Sequence, residues 1–165
     1  MLFRSDGFSV LMRSLLLIFV VLFAVFTKLT GVPDREDSGD IYTLVLGSTL
    51  GMMLMCSANH LLMVFMAVEM ASVPSYALAG LLKGRRQSSE AALKYSIYGA
   101  GTAGVMLYGI SLLSGLVNSV HLPTMAARLV ERLPTMGPEE TMVLGLGGMM
   151  LGVGDRKSTR LNSSH

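Results

Sequence analysis

Glu69 and Lys94 are the residues on which chemistry in this sequence can turn, because both are ionisable and both lie inside apolar runs. A charge within a bilayer is costly, so such residues are kept where they bind, move or balance charge. A carboxyl in that setting can take up and release a proton. A lysine can do the same, or favour the ionised form of a nearby carboxylate. Glu69 lies well inside its run, within Val-Glu-Met-Ala-Ser-Val-Pro-Ser-Tyr. Ser72 and Tyr76, at i+3 and i+7, share its face of a helix and can hydrogen-bond the carboxyl or a water chain. Pro74 lacks a backbone N–H and is expected to kink the same helix. The competing reading is a neutral Glu69 that only ties two helices together. Lys94 lies nearer the end of its run. Glu90 precedes it at i−4, the favourable order for a helical ion pair, and the lysine can equally snorkel to the membrane surface.

The elements that must hold these residues are transmembrane helices. Hydrophobic residues make up 52% of the chain and charged residues 15%, with mean hydropathy +0.58. A soluble domain carries about 25% charged residues. The charges cluster between apolar runs, which predicts an all-α polytopic membrane helix bundle. Four complete spans are expected at 8–27, 41–58, 61–82 and 88–117, with the start of a fifth at 141–154. The segments 28–40 and 118–140 carry the prolines and most remaining charges and are expected as loops. Only Asn59 and His60 separate the second and third spans, with Asn59 the expected N-cap of the third. The small residues from Gly99 to Gly104 predict a closely packed fourth span. Lys83, Arg85 and Arg86 form the densest internal basic cluster, which places 83–87 on the cytoplasmic side. Arg4 and Arg13 then fall on the wrong side. A signal peptide at the N-terminus is disfavoured by Asp6 and by the lack of a small-residue cleavage motif.

Several function classes drop out. Cys56, the one cysteine, is expected as a small buried hydrophobe. His60 and His121 fall at membrane edges and are expected to be interfacial or solvated. No metal-ligand spacing, nucleophile elbow or phosphate-binding loop is present. The formal charge of +2 is carried by the last residues. Residues 155–165 hold three cations and one anion; without them Lys/Arg and Asp/Glu balance, so nothing supports nucleic-acid binding. That segment also reads, codon for codon, as a common sequencing-library adapter, and is expected to be non-native. The native domain is therefore expected to occupy 1–154. Genomic DNA read across Gly154 should continue the apolar helix; a read still encoding 155–165 contradicts this.

Glu69 in Val-Glu-Met-Ala-Ser-Val-Pro-Ser-Tyr-Ala-Leu-Ala-Gly, then Ser-Ser-Glu-Ala-Ala-Leu-Lys-Tyr at 88–95, resembles the subunit N family of complex I, the proton-pumping NADH-quinone oxidoreductase. The run Gly-Ala-Gly-Thr-Ala-Gly-Val-Met-Leu-Tyr-Gly-Ile-Ser-Leu-Leu at 99–113 resembles it too. The likeness covers nearly all of 1–154. It implies part of a larger antiporter-like bundle with inverted repeats. It implies a role in proton translocation coupled to NADH oxidation and quinone reduction elsewhere, with Glu69 and Lys94 as relay residues. It also implies that NADH, flavin, iron–sulfur clusters and quinone belong to other subunits, and that this chain holds no cofactor or redox centre. The implied partners are the other membrane subunits of complex I and the lipid bilayer, in a bacterial inner membrane. The family's central lysine would follow the point where the chain ends, so the segment alone is expected to be inactive. Mrp-type sodium/proton antiporter and membrane-bound hydrogenase subunits share the wider family, and a purely structural membrane anchor is the reading of another class.

Overall fold

A computed structural model describes residues 3–31, 38–79 and 86–155. Its elements are helices: α1 (Gly7–Thr30), α2 (Ser38–Met55), α3 (Leu61–Ala79), α4 (Arg86–Val117), α5 (Leu122–Arg132) and α6 (Pro138–Asp155), with a 3-10 turn at Leu133–Thr135. The only β-type pairings among the described residues are two isolated bridges, Phe3 with Ala58 and His60 with His121. The stretches Gly7–Thr30, Leu61–Leu78 and Ala92–Val117 are long and apolar enough to cross a membrane, and Gly39–Met55 is a shorter apolar helix. The chain divides into two compact units, one built from Phe3–Ala58 and Met66–Ser96, the other from Asn59–Phe65 and the chain from Ile97 onward.

In the first unit, α1 starts on a local hydrogen-bond motif and ends on glycine. The Asp6 N–H donates to Ser9 Oγ at 2.9 Å, and Ser9 Oγ returns a bond to the Asp6 carbonyl. Gly31 then takes the left-handed conformation, φ 66°, that closes a helix without a Cβ clash. Hydroxyl and guanidinium bonds join α1 to α2. Thr27 and Tyr42 meet at 3.1 Å. Arg13 Nε donates to the Met53 carbonyl at 3.3 Å, and its Nη2 reaches the Ser57 hydroxyl. The guanidinium therefore sits on a carbonyl at the C-terminal end of α2, where a cation is favoured. Arg4 pairs with Asp6 at 2.9 Å. These two arginines are thus held by local structural bonds, which is a physical reason for their position independent of membrane orientation. Most of the apolar side chains of α1 point outward, Phe8 and Leu29 among them. Such a surface suits lipid or further helices.

Helix α2 meets α3 through its smallest residues. A Cβ built on Gly51 would lie 2.6 Å from the Ala71 nitrogen and 2.9 Å from the Met70 carbonyl carbon. One turn earlier, a Cβ at Gly47 would lie 3.8 Å from Pro74 Cγ, and Ser48 Oγ donates to the Ala71 carbonyl at 3.0 Å. The four-residue spacing of Gly47 and Gly51 is the small-residue pattern that lets helices approach in lipid.

In the second unit the close approach is between α4 and α6. A Cβ at Gly109 would fall 2.8 Å from Met150 Cβ, and one at Gly147 would fall 2.8 Å from Leu113 Cγ. The expectation of close packing at 99–104 is met only in part. Gly99 is buried, whereas a Cβ on Gly101 or Gly104 would meet nothing within 4 Å. Small residues permit close approach but do not choose the partner.

Two local readings are corrected. Segment 118–140 is not simply a loop. It contains α5, with Leu122, Met125 and Leu129 half-buried along one side and Ala126, Val130 and Glu131 exposed. Arg128 Nη1 donates to the Val117 and Asn118 carbonyls at 3.1 and 2.5 Å, and Arg132 Nη1 to the Leu116 carbonyl at 2.6 Å. Both guanidinia thus satisfy the last carbonyls of α4, while Asn118, φ 52°, turns the chain out of the helix. Asn59 does not cap α3. The His60 carbonyl receives the Met63 and Val64 N–H groups, and Asn59 Nδ2 lies 3.2 Å from His121 Nε2. The two histidines, expected to be interfacial or solvated, are half-buried, and His121 belongs to a polar clasp: the Leu61 N–H donates to the Val120 carbonyl, the Leu122 N–H to the Asn59 carbonyl, and His121 Nδ1 lies 3.1 Å from Thr124 Oγ1. Residues 83–85 of the basic cluster, and 156–165 of the polar tail, lie outside the described residues.

Candidate functional site

Glu69 lies on α3 in the unit that also holds α2, Tyr76 and Lys94. It is half-buried. The backbone around it is fixed by α2, since Ala67, Met70 and Ala71 are the residues against which Gly51 packs. A glycine on the facing helix therefore sets how closely α2 approaches the turn bearing the carboxyl.

Pro74 is buried within α3 and the helix continues through it to Ala79. Having no N–H, Pro74 leaves the Met70 carbonyl without its usual helical donor. Three hydroxyls bond to backbone carbonyls in this stretch. Ser72 Oγ donates to Val68 O at 2.7 Å, Ser75 Oγ to Ser72 O at 2.5 Å, and Ser48 Oγ to Ala71 O at 3.0 Å. The Ser72 proton is thus committed to its own helix, and only its oxygen lone pairs remain for a carboxyl or water.

Tyr76 is 8% exposed, and its ring meets that of Tyr95 at a centroid distance of 4.6 Å and an angle of 82°. This edge-to-face contact joins the later part of α3 to the early part of α4. Lys94, the residue before Tyr95, is exposed, as is Glu90. Glu90 and Lys94 form no ion pair with each other. The exposed face of α4 here also carries Leu93, Ile97 and Tyr98, a surface suited to lipid or neighbouring helices. No group of three or more His, Cys, Asp or Glu positioned to hold a metal occurs among the described residues.

Two features of this site were not singled out from sequence. Tyr95 follows Lys94 directly, but nothing in the sequence says that its ring meets Tyr76. Gly47 and Gly51 carried a usable signal in their spacing, which is obscured because 18 glycines are spread through the chain.

An α-helical chain with apolar spans of this length is an integral membrane protein. Comparison with known proteins specifies the group. The family described as "NADH:quinone oxidoreductase/Mrp antiporter, TM" matches residues 58–159, and the chain belongs to this family. Among curated relatives, NADH-quinone oxidoreductase subunit N 2 of Sorangium cellulosum is 39% identical over 159 residues, covering 93% of this chain and 31% of that protein. The protein of the same name from Chloroherpeton thalassium is 38% identical over 124 residues, covering 73% of this chain and 24% of its own length. A chain in the structure of respiratory complex I from Thermus thermophilus with bound aureothin is similar with a TM-score of 0.65 and 33% identity, over 91% of this chain and 30% of that one. The chain thus spans about a third or less of the length of these relatives.

Proposed function

We propose that this chain is part of a proton-translocating membrane subunit of an NADH-quinone oxidoreductase, in which Glu69 takes up and releases protons. The observation that carries the reading is a half-buried carboxyl inside an apolar spanning helix, held beside the close contact of α2 with α3. Membership of the family and the names of the relatives supply the coupled reaction. Lys94 serves as a second relay group, or as a cation that favours the ionised form of a neighbouring carboxylate when it faces the rest of the bundle. Glu90, one turn before it, biases that charge. Ser72 and Tyr76 line the Glu69 face. Redox cofactors and quinone belong to other subunits, and the chain works among other membrane subunits of complex I in a bacterial inner membrane.

Replacing Glu69 by Gln in the full-length subunit tests this reading. Lost acidification of inverted vesicles on NADH addition, with the complex still assembled, supports it. Normal pumping leaves Glu69 as a structural link and the chain as an anchor. A sodium/proton antiporter role is the second reading, because the family description also names Mrp antiporters; sodium-dependent proton movement in the absence of NADH would favour it.

The orientation follows from the cluster Lys83, Arg85 and Arg86, which places 83–87 in the cytoplasm. Single cysteines at Gly84 and Gly137, with Cys56 replaced, are expected to label from opposite sides of the membrane, Gly84 only from the cytoplasm. Labelling of both from one side rules out this topology.

A further inference from the structure

The Tyr76 hydroxyl is shielded from the surface and has no hydrogen-bond partner among the described residues. The ring is 8% exposed and packed edge-to-face on Tyr95, so it cannot swing the hydroxyl outward without losing that contact. A phenylalanine would make the same ring contact without burying an unpaired polar group. Nearby hydroxyls do not meet the need, since Ser72 and Ser75 already donate to backbone carbonyls. Buried polar groups of this kind are ordinarily satisfied by ordered water. Tyr76 lies seven residues beyond Glu69 on the same side of α3, about 10 Å along the axis and toward the Ala79 end.

We propose that the Tyr76 hydroxyl holds a water chain that delivers protons to Glu69 from the Ala79 end of α3. This rests on the proton-relay reading of Glu69. Tyr76 is a relay residue whose hydroxyl passes protons between waters. Its oxygen accepts a hydrogen bond from one water while its O–H donates to the next. When a proton arrives on one side, the hydroxyl proton leaves on the other, so the tyrosine ends neutral and the chain reverses its hydrogen-bond direction.

The test uses the full-length subunit in the assembled complex, in inverted vesicles. Tyr76→Phe is expected to assemble at normal abundance, because the ring contact remains, and to slow NADH-driven acidification by about threefold or more. The ratio of its rates in H2O and D2O should exceed that of the parent. Parent-like rates and an unchanged isotope ratio, with Glu69→Gln inactive, overturn the role of Tyr76 and leave that of Glu69 standing. Normal pumping by Glu69→Gln removes both. If Tyr76→Phe does not assemble, 3-fluorotyrosine placed at position 76 preserves the ring and hydroxyl while making the hydroxyl more acidic. The rate of NADH-driven acidification and its H2O/D2O ratio are then expected to differ from those of the parent, and parent-like values of both overturn the proposal.

Discussion

Glu69→Gln, made in the full-length subunit, is expected to lower NADH-driven proton pumping by at least about tenfold, in the range typical of a lost proton-transfer group. Complex abundance should be unchanged. Gln matches Glu in volume and keeps hydrogen-bonding capacity, so it can still bridge helices, but it cannot ionise. A purely structural role is therefore served by Gln and a relay role is not. Glu69→Asp keeps the titratable group one methylene shorter and should retain part of the activity. Lys94→Ala is expected to be milder, because Lys94 is exposed in this segment and unpaired among the described residues. Native gels and vesicle acidification together check this series, and the order Asp above Gln distinguishes proton carriage from bridging.

Gly51→Leu is expected to abolish assembly, and even Gly51→Ala should destabilise it. The added Cβ would fall 2.6 Å from the Ala71 nitrogen and 3.0 Å from the Ala67 carbonyl oxygen. These are backbone atoms of the facing helix, so no side chain can rotate away and α2 must separate from α3. Overpacking of this kind costs about 1–3 kcal/mol for small additions. Separation would also displace the turn that carries Glu69, so pumping by any residual complex should fall as well. Gly104→Ala is the control. A Cβ there meets nothing within 4 Å, and alanine is the better helix former by about 1 kcal/mol. Thermal inactivation of the detergent-purified complex should show Gly51→Ala weakened and Gly104→Ala equal to the parent or firmer. Equal stability of the two variants would contradict the close contact of α2 with α3.

The spans could be read from the sequence because long apolar runs carry their own signal. The third was expected at 61–82 and is described as Leu61–Ala79; the fifth was expected from 141 and begins at Pro138. Helix α5 was missed for a physical reason. Its eleven residues are shorter than a span, prolines flank and enter it, and its arginines read as loop charges until they are seen on the carbonyls of α4. Glu69 stood out because a carboxyl in an apolar run conflicts with its surroundings. The packing face of α2 did not, because glycine marks where helices can approach and not which ones do. Tyr76 could be placed on the Glu69 face by helical spacing, but its unpaired hydroxyl depends on what the neighbouring helix provides, and Tyr95 provides only a ring edge or face. Asn59 and His121 are far apart in sequence and each reads as an interfacial residue; only the fold makes them partners.

The most direct test concerns the protonation of Glu69 during turnover. Infrared difference spectra between the oxidised and NADH-reduced complex in lipid report protonated carboxyl groups through their carbonyl stretch. The expected result is a carboxyl band in the parent that is absent in Glu69→Gln and shifted in Glu69→Asp. Identical carboxyl bands in the parent and Glu69→Gln would mean that Glu69 keeps a single protonation state throughout turnover, which contradicts its role as a proton carrier.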